Sequence, residues 1–217
     1  MKKTDLSLRQ DIIDELAFEP SVDAAHIGVS VENGVVTLSG HVTSYGQKVA
    51  AEDATRRVKG VTAIAQEIEV RYPGRKQQAD DEIARRAVDV ISWHAALPPG
   101  AINVNVSKGW VTLSGEVDWH FQSEEAEQAV RKLGGVLGVF NKIVLKQNAA
   151  TQDVKGEIEK ALIRNAQVEA KAINVRVADH KVVLEGDVHS WNERSLVERT
   201  AWSVPGIWTV ENRLHIG

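Results

Sequence analysis

Hydrophobic positions run first at a spacing of four, then two, then roughly four again and finally two, and this series occurs three times. Leu8, Ile12 and Leu16 open the first series, Ile83, Ala87 and Ile91 the second, and Val154, Ile158 and Leu162 the third. A spacing of four keeps each set on one helical face, the stripe that packs inward. Asp5, Asp80 and Thr151 stand just ahead of these stripes and are read as N-caps. Alternation follows: Ile27, Val29 and Val31 match Ile102, Val104 and Val106, and Ile173, Val175 and Val177. A two-residue turn then leads to a second alternating run, through Asn33-Gly34, Lys108-Gly109 or Asp179-His180. Asn-Gly marks a tight hairpin, because both central residues need positive φ. His180 in the glycine place predicts a costlier or differently shaped third turn.

A second helix is predicted over about 46–58, 121–133 and 192–204. Its stripes are Ala51, Ala54, Thr55 and Val58, then Ala126, Ala129, Val130 and Leu133, then Val197, Thr200, Ala201 and Val204. Gly60, Gly135 and Gly206 follow as helix stops. A last strand carries Ile64, Ile68 and Val70, with Val139, Ile143 and Leu145, and Val210, Leu214 and Ile216, in the later copies. The fold class is therefore α+β: three tandem α-β-β-α-β domains, each with two helices on one face of a three-stranded mixed sheet. The expected domains are residues 5–70, 80–145 and 151–216, offset by 75 and 71 positions. Short linkers around Tyr72-Pro73-Gly74 and Gln147-Asn148-Ala149 join them, the second expected to be the stiffer. A period of this length points toward binding rather than catalysis.

Composition narrows the class. With 43% hydrophobic and 26% charged residues, the chain matches an ordinary globular protein. The absence of cysteine rules out disulfides and thiolate metal sites. Net charge is −4: the three copies carry −6, −3 and −1 and the stretches outside them +6, so no copy is basic enough to expect nucleic-acid binding. The first residues lack an apolar core behind Lys2 and Lys3, and no window reaches the 18 apolar residues of a spanning helix. The expected location is cytoplasmic, or periplasmic if a leader has been removed.

The runs Ile102–Val117 and Gly135–Leu145, with their equivalents in the other copies, resemble the BON domain (bacterial OsmY and nodulation) family. The likeness extends over nearly the whole chain. It departs at His180 in the turn, at Gln66 where the later copies have Asn141 and Asn212, and at Glu185 before the third glycine. The resemblance implies a non-enzymatic protein linked to osmotic and envelope stress. Some members are thought to bind phospholipid, and others resemble parts of secretins, mechanosensitive channels and a cytoplasmic potassium-binding protein.

Candidate chemistry is sparse. Gly34, Gly40, Gly109, Gly115 and Gly186 frame the hairpins and are read as steric necessities, since no glycine-rich phosphate loop is present. Asn141 and Asn212 have inward parity and are expected to be buried amides fixing the loop after the second strand. The seven histidines show no metal-ligand spacing and no catalytic triad partners, so neither a metal, a cofactor nor an enzymatic activity is expected. All six tryptophans fall in the second and third copies. Trp110 and Phe140 share outward parity and predict an apolar patch on the uncovered sheet face. Arg85, Arg86 and Trp93 form the most lipid-like cluster, although acidic residues surround it.

The leading expectation is a non-catalytic stress-associated binding or scaffold protein, acting through an unidentified protein partner or through self-association. The alternatives are a peripheral protein on anionic phospholipid, and an inorganic cation binder using loop carbonyls.

Overall fold

The structure is a computed structural model that describes residues 4–72, 79–146, 153–165, 168 and 170–216. The first repeat contains α1 (Asp5–Phe18), β1 (Ile27–Glu32), β2 (Val35–Val42), α2 (Tyr45–Arg57) and β3 (Ala63–Val70). The second contains α3 (Asp80–Ser92), β4 (Ile102–Ser107), β5 (Trp110–Val117), α4 (His120–Arg131) and β6 (Gly138–Leu145). The third contains α5 (Val154–Arg164), β7 (Ile173–Ala178), β8 (Lys181–Val188), α6 (Trp191–Trp202) and β9 (Thr209–Ile216). Each repeat therefore has two helices and one three-stranded sheet, in the order β1-β2-β3, β4-β5-β6 or β7-β8-β9.

In the first and third sheets the hairpin is antiparallel and the last strand runs parallel to the middle one. The register is Val31 opposite Val36, Val29 opposite Leu38 and Ile27 opposite Gly40, as alternation requires when one face is buried. Every residue of the three first-helix stripes is buried, together with Val36, Leu38, Val111, Leu113, Val182 and Leu184 of the middle strands. The second helices begin one residue earlier than their stripes indicate and end one or two residues earlier.

Asp5 and Asp80 do not cap their helices. Thr4 caps α1 with its hydroxyl, and α3 follows Ala79 with no side-chain cap. The two carboxylates instead accept from the hairpin turns: Asp5 from the Asn33 and Gly34 N–H groups at 2.8 and 3.2 Å, Asp80 from those of Lys108 and Gly109 at 2.7 and 2.9 Å. An acid in the first helical turn can serve either end, and here the unsatisfied amides of the turn hold it. In the third repeat Asp153 caps α5. Thr151, the linker positions 73–74 and 147–149, and Ala166-Gln167 lie outside the described residues.

The third turn keeps the shape of the others. Asp179 and His180 have φ of 47° and 69°, against 52° and 79° at Asn33 and Gly34. The strain of a side chain at positive φ is met by two contacts. The His180 ring stacks on Trp208 at 3.8 Å, and its Nδ1 lies 2.7 Å from the Gly206 carbonyl oxygen. Gly40 and Gly186 also have positive φ, 107° and 128°. A Cβ there would run into the carbonyl oxygen of His26 or Ala172, so the close approach is backbone on backbone.

By packing, the chain falls into two compact units, Met1–Ser114 with Glu125–Lys142 and Gly115–Glu124 with Ile143–Gly217. Within the first unit, the first and second repeats touch. The Tyr72 hydroxyl donates to the Val136 carbonyl at 2.6 Å, and the Tyr45 phenol is in hydrogen-bond contact with the backbone of Val139. Burial raises the Tyr45 pKa, with the Glu127 carboxylate adding to the rise. Within the second unit, His120 of the second repeat stacks on Trp202 of the third, centroids 4.1 Å apart and planes 7° apart. Burial lowers the His120 pKa, against the opposing pull of Glu124 and Glu198.

Candidate interaction surface

The helices cover one face of each sheet, and the residues of outward parity line the other. On the middle and last strands of the second repeat those residues include Trp110 and Phe140. Their rings stack with centroids 5.0 Å apart and planes 20° apart, and remain 44% and 51% exposed. Offset-stacked rings at this distance add about 0.5–1.5 kcal/mol beyond the area they bury. Gly138 makes the arrangement possible. A Cβ on it would run into the six-membered ring of Trp110, and the equivalent positions elsewhere hold Ala63 and Thr209. Asn103, Asn105 and Lys142 are also exposed in this repeat.

The same positions carry other chemistry in the other repeats. The first has Val35 and Ala65, with a stacked His26–His41 pair at 4.6 Å. The third has Lys181 and Glu211, whose Nζ and Oε2 lie 2.6 Å apart. Arg213 bridges Glu211 at 2.6 Å and Glu185 at 3.4 Å, and Arg176 pairs with Glu185. Hydrogen bonds from Lys181 and Arg213 hold the Glu211 carboxyl below the ordinary carboxylate range.

The second cluster expected from the sequence sits on α3. Trp93, at the end of that helix, is 88% exposed. Arg85 and Arg86 are exposed as well, but each is paired with an acid one turn back, Arg85 with Asp81 at 3.4 Å and Arg86 with Glu82 at 2.5 Å. The structure thus places Trp110 and Phe140 together and leaves Arg85, Arg86 and Trp93 on a helix.

Asn141 and Asn212 are not the buried amides the parity indicated. Asn141 is exposed and Asn212 half-buried; each donates from Nδ2 to a glutamate of the second helix, Glu127 at 3.1 Å and Glu198 at 2.8 Å. Gln66 reaches the equivalent Glu52 at 3.5 Å. These amides tie the last strand to the second helix rather than to the loop after the second strand. Inward parity near a sheet edge leads to the helix flank, where a carboxylate waits, and not to the core.

Sequence reading also passed over Phe18 and Ile163, which are 82% and 73% exposed near the ends of α1 and α5. The signal was available, since Phe18 aligns with Trp93 at the repeat offset. Among the described residues, no three acidic, histidine or cysteine side chains gather as a metal site, and no helix is long and apolar enough to cross a membrane.

Osmotically-inducible protein Y of Escherichia coli (strain K12) is 30% identical over 135 residues, 58% of this chain and 65% of that protein's length. The aligned region thus spans less than two thirds of the relative. Among solved structures, the C-terminal domain of CdsD, the structural protein of the type III secretion system of Chlamydia trachomatis, covers 99% of this chain and all of its own at 15% identity. Its TM-score of 0.27 is too low to carry an argument. The BON domain pattern matches three times, at residues 4–72, 79–147 and 150–217, and with nearly the whole length accounted for the chain belongs to the BON domain family.

Proposed function

We propose that this chain is a non-catalytic, osmotic-stress-associated scaffold whose open sheet face in the second repeat receives a protein partner. The stress association rests on family membership and on the likeness to osmotically-inducible protein Y. The contact surface rests on one observation, the exposed Trp110–Phe140 stack at positions that are aliphatic in one sister repeat and ion-paired in the other. Aromatic rings held rigidly in a polar surround are the residues on which binding energy concentrates.

A photo-reactive amino acid at Thr112, two residues along β5 from Trp110, tests the reading in cells grown before and after an osmotic upshift. One defined adduct that disappears in the Trp110→Lys variant is the expected result. Adducts that survive Trp110→Lys, or none under either condition, overturn it. A lipid-facing reading has Trp93 in its favour and the pairing of Arg85 and Arg86 against it. Salt-sensitive sedimentation with anionic vesicles, lost in Trp93→Ala, would move the function there.

A further inference from the structure

The three hairpins protect their outer edges differently. β1, β4 and β7 each lie at one side of their sheet, with a single strand neighbour. In the first repeat Arg9 of α1 donates from Nε to the Val29 carbonyl oxygen at 2.8 Å, so Val29 turns its main-chain groups to the open side. Alternate residues of an antiparallel edge strand share that direction, which adds Ile27 and Val31. Their equivalents on β4 are Ile102, Val104 and Val106.

The position of Arg9 is held by Ala84 on α3, which has no donor to offer a strand carbonyl. Exposure at the central residue records the difference. Val29 and Val175 are 8% and 1% exposed, main chain included, whereas Val104 is half-buried and Asn103, Asn105 and Ser107 around it are exposed. One helical turn beyond Ala84, Val88 is 52% exposed. The same two positions hold Arg9 and the half-buried Ile13 in α1, and the Lys155–Glu159 ion pair, 3.6 Å apart, in α5. Charge on an edge strand guards against pairing with another chain. β1 ends in Glu32 and β7 contains Arg176, but β4 has no charged residue. The second repeat thus joins an uncharged, accessible strand edge to an apolar helix flank.

We propose that β4 of one copy of the chain pairs antiparallel with β4 of a second copy, about a two-fold axis at Val104, so that two sheets become one. In that register Val104 exchanges both main-chain bonds with its own equivalent, and Ile102 does so with the second copy's Val106. Asn103 falls opposite the second copy's Asn105 on the open face, amide against amide. An axis normal to the sheet keeps both helix layers on one side, where Ala84 and Val88 approach their own equivalents. A second copy is the occupant these residues specify, because each edge group finds its complement in the same strand and no like charges come opposite. The contact is self-complementary and closes at a dimer. It goes beyond the sheet-face reading, since Trp110 and Phe140 take no part in it.

Sedimentation velocity of the full chain over a concentration series tests the proposal. The wild type is expected to pass from monomer to dimer and to stop there. Asn103→Lys with Asn105→Lys sets like charges opposite each other across the axis and is expected to stay monomeric. Asn103→Glu with Asn105→Lys sets opposite charges there and is expected to dimerise. Ala84→Arg, which restores the guard of the first repeat, is expected to abolish the dimer. Hydrogen exchange at the Val104 amide should slow as concentration rises, while that at Val175 stays constant. Trp110→Lys is expected to dimerise like the wild type, so loss of the dimer and loss of the adduct at position 112 are separate outcomes. A wild type that stays monomeric, or grows past a dimer, overturns the proposal. So do two asparagine double variants that behave alike, an Ala84→Arg chain that dimerises unchanged, a Val104 amide indifferent to concentration, and a Trp110→Lys chain that cannot dimerise.

Discussion

On the open sheet face of the second repeat Trp110 stacks on Phe140, whereas in the third repeat the same two strand positions hold Lys181 and Glu211 as an ion pair. The backbone frames are equivalent and the buried stripes are alike, so the contrast lies in the outward side chains and in one small position beneath them. Gly138 lies under the Trp110 ring, and Thr209 fills the matching place in the third repeat. One face presents stacked rings to solvent; the other is satisfied with its own charges.

The largest effect on this contrast is expected from Gly138→Ala. The added methyl displaces the Trp110 ring, and the cost of overpacking and lost stacking is about 1–2 kcal/mol. A denaturant melt gives the energy, and a shifted Trp110 indole resonance shows that the stack is the cause. An unmoved resonance would mean that the glycine has another role.

Grafting the charged pair onto the second repeat comes next. Trp110→Lys with Phe140→Glu exchanges a ring stack for a surface ion pair worth about 0–1 kcal/mol. The expected net loss is below about 1 kcal/mol, with complete loss of the adduct formed from position 112. The reverse graft, Lys181→Trp with Glu211→Phe, is expected to give poorly stacked rings until Thr209→Gly is added. If the two-residue graft stacks as well as the three-residue one, the glycine does not decide the geometry.

The smallest effect belongs to pH. Glu211 has a lowered folded pKa, so its contribution is fully present above the unfolded value of about 4.3 and is lost as pH falls through the folded value. The Trp110–Phe140 stack has no titrating group and should not change over that range. Following the two faces separately by NMR between pH 6 and about 3 checks both statements.

Much of this is legible in the sequence. Val29 opposite Leu38 followed from alternation on either side of a two-residue turn, and the outward parity of Trp110 and Phe140 followed from the same count. Asp5 and Asp80 were misread because a local pattern cannot tell a helix cap from a partner 28 residues away. Asn141 and Asn212 were misread because parity gives the side of a sheet but not the distance from its edge. The contacts of Tyr45 and His120 with the next repeat depend on how neighbouring helices pack, which no periodicity within one repeat encodes.

The Asp5 and Asp80 bonds to the hairpin turns have a consequence for how the repeats come apart. In the first two repeats the opening helix cannot fray at its start without releasing two turn amides, so helix and hairpin share one cooperative opening. In the third repeat the turn is fastened through His180 to Gly206 and Trp208 instead. Among the described residues no side chain of α5 joins that link, and the amides of α5 are expected to exchange with solvent hydrogen sooner than those of α1 and α3. The same architecture, repeated three times, thus fastens its hairpin turns by two different chemistries, a carboxylate in two copies and a stacked imidazole in the third.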